Sequence, residues 1–190
     1  INRSQIGAAV GNQPFGGHDL SGTGPKTGSP LYLARLQAFK RQNASKSWDQ
    51  LMSPNALKKV IETATSGGHS KETLLPGPTG EINARFTLAK PPIFCARPGA
   101  QSTETQANTM TALGGVAVKA TGQVSAEDLK HLAPLGAVIW WGDATTAQAF
   151  DQALSLRDGP ILALITGHPD SAYVLFEQHV CIDTTAAGGN

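Results

Sequence analysis

Ile93-Phe94-Cys95-Ala96, Val116-Ala117-Val118-Lys119-Ala120, Ala137-Val138-Ile139-Trp140-Trp141 and Ile161-Leu162-Ala163-Leu164-Ile165 are four apolar runs of strand length. They recur about every 22 residues, the spacing expected when each strand is followed by a crossover helix. The segments between them have helical character. Ala107, Met110 and Leu113 share a face that stops at Gly114-Gly115, and Ser125 with Asp128 makes a capping-box-like start for Leu129 and Leu132. Ala147, Phe150 and Leu154 line a third helix ending near Asp158-Gly159. Nearly continuous apolar strands joined in this way predict an α/β fold, a Rossmann-like parallel sheet covered on both faces, over residues 91–190.

A dinucleotide site needs a glycine-rich turn directly after the first strand, so that a pyrophosphate can rest on backbone N–H groups. The turn here is Arg97-Pro98-Gly99-Ala100-Gln101, with one glycine and a proline that removes a donor. After the second strand, Lys119 and Thr121 stand where an acidic residue would hold a ribose. The sheet is therefore expected to serve as a scaffold, with no cofactor bound by this chain.

Upstream the chain changes character. Residues 43–90 are expected to form a helical and turn connector, with one helix capped by Ser53, begun by Pro54, faced by Leu57, Val60, Ile61 and Ala64, and stopped by Gly67-Gly68. Leu74-Leu75-Pro76-Gly77-Pro78-Thr79-Gly80-Glu81 reads as turns. Residues 1–42 form a first segment, and its zone from residue 1 to about 34 is dense in glycine, which allows close backbone approach and implies loops wrapped against something. An opening as apolar and glycine-rich as Ile1 to Gly24 leads to the expectation that the chain is part of something larger.

Composition narrows the function classes. The 190 residues are 40% hydrophobic and 15% charged, with a net charge of +1, so nothing favours nucleic acid as a partner. Cys95 and Cys181 lie far apart in apolar settings and read as reduced core residues. His18, His69, His131, His168 and His179 are dispersed without the i, i+4 pairing of a zinc helix, so no metal site is expected. Ser21 to Gly28 mixes glycines, hydroxyls and a lysine but lacks the Gly-Lys-Ser/Thr order of a phosphate loop. No Gly-x-Ser-x-Gly elbow occurs. Asp143, Asp151 and Asp158 are expected to face water or cap a helix.

Gln13-Pro14-Phe15-Gly16-Gly17, followed by Leu20-Ser21-Gly22-Thr23-Gly24, resembles the C-terminal part of the aldehyde dehydrogenase catalytic domain. Ile1-Asn2-Arg3 through Gly11 narrows the likeness to the branch that oxidises L-glutamate γ-semialdehyde, the open form of 1-pyrroline-5-carboxylate. Leu74 to Glu81, Gly24 to Leu33 and the ending Cys181 to Asn190 resemble the bifunctional proline utilization A family, in the same order along the chain.

The resemblance implies the tail of an enzyme that oxidises proline on FAD and then the semialdehyde to glutamate with NAD. Both cofactors and the catalytic residues would belong to the remainder of the parent polypeptide, and this chain would carry no catalytic residue. Gly7 and Ala8 would form the anchor loop for the substrate's carboxylate, since glycine lets consecutive N–H groups converge on an anion. Phe15 would pack on the substrate's aliphatic chain. Residues 91–190 would be a non-catalytic lid over the cavity through which the semialdehyde passes, the terminal residues helping to seal it. A cytoplasmic protein is implied, the parent being a candidate for peripheral attachment at the inner membrane, and a homodimer is allowed. His18-Asp19 departs from the family's usual Glu-Gly, and Asp183-Thr184-Thr185 from its Asn-Thr-Ala. The alternative is a stand-alone non-catalytic α/β module for binding or assembly, which a start codon immediately before Ile1 would favour.

Overall fold

The computed structural model describes residues 1–2, 8–37, 48, 50–64, 71–96 and 99–184. In chain order the elements are α1 (Tyr32–Arg35), α2 (Pro54–Glu62), β1 (Lys71–Leu75), β2 (Glu81–Ala89), β3 (Ile93–Cys95), α3 (Ala100–Ala112), β4 (Ala117–Lys119), α4 (Ala126–Lys130), β5 (Ala137–Ile139), α5 (Ala144–Ser155), β6 (Ala163–Ile165), α6 (Ser171–Val174) and β7 (Leu175–Asp183). Among them no helix is long and apolar enough to cross a membrane.

The four apolar runs form one parallel sheet in the order β4-β3-β5-β6, with Phe94 opposite Val118 on one side and Val138 on the other. Alternation sorts their side chains between two cores. Ile93, Cys95, Ala137 and Ile139 face Ala107 and Met110 of α3. Phe94, Val118 and Val138 face Leu129 of α4 and Phe150 and Leu154 of α5. Both faces are covered, which is why the strands are apolar nearly throughout. Ser125 accepts from the Asp128 amide at 3.1 Å and Asp143 from the Thr146 amide at 2.8 Å, so the side chains cap α4 and α5 as expected.

The Ser53 hydroxyl likewise accepts from the Ala56 amide and starts α2. The helix ends at Glu62, ahead of the glycine pair expected to stop it; Gly67 and Gly68 lie outside the described residues. Leu57 and Ile61, 1% and 0% exposed, enter the same core as Phe94 and Leu129. Burial of each contributes about 1.5–3 kcal/mol. Met52 accompanies them, its amide donating to the Gln123 carbonyl at 2.8 Å. A stretch read as a connector thus supplies one wall of the parallel sheet's core.

A second sheet stands where only turns were expected. β1, β2 and β7 pair antiparallel in the order β1-β2-β7, with Lys71 opposite Thr87 and Arg85 opposite His179. The stretch between Pro76 and Gly80 is indeed a turn, but it joins two strands. Its brace is Asn83, whose side-chain amide donates to the Pro76 carbonyl at 3.2 Å and to Glu81 Oε1 at 2.6 Å. The buried positions of this sheet include Asn83, Thr87 and Glu177, so its inward face carries no apolar alternation to read. The last strand joins this sheet instead of extending the parallel one. Cys95 is buried and Cys181 half-buried, and both are free thiols; burial pushes the Cys95 thiol up to about 12.

Candidate functional site

The glycine-rich loop is laid against the face of β2 and β7 by polar anchors. Its two arms pair with each other first. Phe15 and Thr27 exchange backbone hydrogen bonds of 3.1 and 2.8 Å, and the Gly11 amide donates to the Gly28 carbonyl at 3.0 Å. Gly28 has φ +71, and a Cβ there would stand 3.3 Å from Val10 Cα, so both conformation and contact call for glycine.

Gln13, 5% exposed, then pins the first arm. Its Oε1 accepts from the Ala9 amide at 2.9 Å, and its Nε2 donates to Glu81 Oε1 at 2.8 Å and approaches Cys181 Sγ at 3.6 Å. Glu177, 4% exposed, pins the second. It accepts from the Lys26 amide at 3.1 Å, from the Ser29 hydroxyl, and from Arg85 Nη1 at 3.5 Å. A buried carboxylate held by three donors is satisfied in the way a buried charge requires.

Between the loop and β7 lies an open depression of about 620 Å³, lined among others by Ala8, Phe15, Lys26, His179 and Cys181. Of the residues expected to hold substrate, Ala8 and Phe15 meet at this depression, and Gly7 lies outside the described residues. Phe15 is 52% exposed, which leaves much of its ring available. His179 stands beside it with Nε2 buried and, among the described residues, without a hydrogen-bond partner. Burial, with Lys26 nearby, lowers the His179 imidazole below its ordinary value and so favours its neutral form. The depression therefore joins an aromatic face, a cation and a neutral imidazole, a set suited to a short aliphatic chain ending in an anion.

Read from the sequence, Lys26, His179, Gln13 and Glu177 have no role at this site: Lys26 enters there only within the Ser21 to Gly28 stretch, and His179 only among dispersed histidines. Gln13 sits inside the quoted Gln-Pro-Phe-Gly-Gly motif, which is the signal that would have found it. His179 and Glu177 carry no such signal, because their roles arise only from the pairing of β7 with β2.

At the parallel sheet, the strand order reverses between β3 and β5, the position where open α/β sheets take ligands. Trp140 and Trp141 follow β5 there, 7% and 4% exposed. The Trp140 indole donates to the Asp143 carbonyl at 3.0 Å, and lies so close to Gly142 that a Cβ there would stand 2.2 Å from Trp140 Cζ2. The Trp141 indole donates to the Gly167 carbonyl at 2.8 Å. At the start of α5 the carboxylate of Asp143 takes the Thr146 amide, and that amide holds its pKa below the usual value. A helix N-terminus already carrying an anion repels a phosphate. Arg97, Pro98 and residues 185–190 lie outside the described residues, and with them the rest of the phosphate turn and the terminal segment expected to seal a cavity.

No family model matches the chain. Among curated proteins it is similar to the bifunctional protein PutA of Escherichia coli strain K12, at 32% identity across 100% of this chain and 18% of that protein. The bifunctional protein PutA of Rhizobium meliloti is 32% identical across 100% of this chain and 19% of its own length. A solved structure of Proline Utilization A from Corynebacterium freiburgense shares the fold, with a TM-score of 0.53, 21% identity, and coverage of 98% of this chain and 20% of that one. The chain is thus similar along its whole length to bifunctional PutA proteins, and it spans about a fifth of the length of these relatives.

Proposed function

We propose that this chain works as the C-terminal part of a bifunctional proline-catabolic enzyme, in the module that oxidises L-glutamate γ-semialdehyde to glutamate with NAD. The observation that carries the reading is the meeting of Ala8 and Phe15 at one depression with Lys26 and His179. In this reading the backbone at Gly7 and Ala8 holds the substrate's carboxylate, Lys26 adds positive potential, and the Phe15 ring covers the methylene chain. The thiol that attacks the aldehyde, the NAD site and the FAD site belong to the remainder of the polypeptide, and no catalytic step is assigned to a residue of this chain.

The parallel sheet serves as a scaffold and lid that binds no nucleotide. Support comes from the turn after β3, which has one glycine and a proline, and from the switch point, where Trp140 and Trp141 are buried and the N-terminus of α5 already carries the Asp143 carboxylate.

Phe15→Ala in the polypeptide carrying this segment tests the reading. Loss of apolar contact worth roughly 1.5–3 kcal/mol lowers kcat/KM for the semialdehyde by about tenfold to a hundredfold. Proline oxidation in the same preparation is expected to stay unchanged. An unchanged kcat/KM for the semialdehyde removes Phe15 from the substrate site.

A further inference from the structure

A second, smaller cavity of about 230 Å³ lies at the seam between the glycine-rich loop and the parallel sheet. Its walls are largely apolar, with Pro91, Leu135, Ile161, Leu162 and Phe176 among them. Lys90, which links β2 to β3, also lines it and is only 5% exposed. Its Nζ donates to the Thr23 carbonyl at 2.7 Å and to the Ala172 carbonyl at 3.1 Å, and sits 5.5 Å from the centre of the Phe176 ring. An ammonium has three hydrogens to donate, so one is uncommitted among the described residues.

Nor does a described carboxylate pair with this ammonium. The acids that act on it through space are Asp170 and Glu177. Asp170 caps the Ala172 amide at 2.7 Å, and Glu177 is engaged by the second arm of the loop. Arg35, stacked on Tyr173 at 3.8 Å and bonded to the Thr23 hydroxyl, adds a second positive charge nearby. Of the remaining ionisable groups at the cavity, His18 packs its ring on Phe176 at 4.8 Å, and Asp19 is exposed, where solvent screens its charge. A buried cation with an unused hydrogen, walled by apolar side chains, is stabilised by a small anion that brings its own apolar body.

We propose that this cavity is a binding site for a small monocarboxylate, with the carboxylate on Lys90 Nζ and a short aliphatic body against Phe176, Leu135 and Leu162. Among the described lining residues Lys90 is the only lysine or arginine, and Arg35 stands outside the cavity, so one carboxylate is favoured over a phosphate or a dicarboxylate, whose extra charge would find no direct partner at the wall. A volume of about 230 Å³ has room for a free molecule with a short aliphatic body. Burial lowers Lys90 from its ordinary 10.5 to about 8, so the amine is mostly charged at neutral pH and loses its charge above it.

The test titrates the full chain near pH 7 with butyrate, 1-butanol and inorganic phosphate, following binding by calorimetry and by amide shifts around Lys90. Butyrate is expected to bind saturably and at least about tenfold more tightly than 1-butanol, the worth of a charge-assisted hydrogen bond. That preference should fade as pH rises through about 8. Lys90→Met keeps the length, removes the charge, and should abolish the preference. Leu162→Trp keeps Lys90, fills the cavity, and should abolish butyrate binding even if the first variant fails to fold. Butyrate bound no better than 1-butanol, phosphate bound as well as butyrate, or binding that survives Leu162→Trp overturns the proposal.

Discussion

Between Ala8 and Gln37 the large apolar residues Val10, Leu20, Leu33 and Leu36 face solvent, whereas in the parallel sheet Ile93, Phe94, Ala137, Val138 and Ile139 have no exposed surface. The loop keeps its shape through a handful of hydrogen bonds to Gln13, Glu177 and Lys90. The sheet keeps its shape through many small apolar contacts between its strands and α2 to α5. Directional polar anchors fix backbone atoms in a shallow depression without filling it. Dispersed apolar contacts fill the space between the parallel sheet and the helices that cover it. The two regions therefore fail differently, the first by local release and the second by global unfolding.

The largest effect is expected from Phe94→Ala, which empties the middle of the parallel sheet's core. Global stability should fall by about 3–5 kcal/mol in urea unfolding. Retained stability would show that the core is not shared between α2 and the sheet in the way the packing indicates.

Glu177→Gln should cost less, about 1–3 kcal/mol, because the new NH2 group faces either the Lys26 amide or the donors Ser29 and Arg85. Its signature is regional. Hydrogen exchange should quicken at the Lys26, Thr27 and Gly11 amides and stay slow at Phe94 and Val138. Uniformly faster exchange would mean that the loop and the sheet are one cooperative unit.

The smallest effect concerns Asp19, which stands at φ +72, a left-handed conformation that favours glycine. Asp19→Gly relieves a left-handed strain of about 1 kcal/mol and adds some unfolded-chain entropy, for a net gain of about 0.5 kcal/mol. A loss of stability would mean that the Asp19 carboxylate contributes more than its exposure suggests.

Much of the parallel sheet was legible beforehand. Its strands are buried on both faces, so the four apolar runs stand out, and the caps Ser53, Ser125 and Asp143 announce the helices that cover them. The antiparallel sheet was not legible. β2 and β7 meet across about ninety residues of intervening chain, and their shared face buries Asn83, Thr87 and Glu177, polar groups that obscure any period-2 pattern. Within the candidate site, Ala8 and Phe15 were marked by a family-like motif, while His179 and Lys26 entered only through the pairing of β7 and the course of the loop.

Local composition and periodicity by themselves determined the order of β3 to β6 with α3 to α5 between them, the helix at Pro54, and the loop character of the first zone. Each of these depends on residues within a few turns of one another, where propensity and alternation act directly. Tertiary structure alone decided that α2 joins the parallel core, that β7 returns to β2, and that Lys90, Thr23 and Ala172 converge on one cavity wall. Those outcomes turn on satisfying buried polar groups between segments distant in the chain, a condition that has no local signature because either partner alone is an ordinary surface residue.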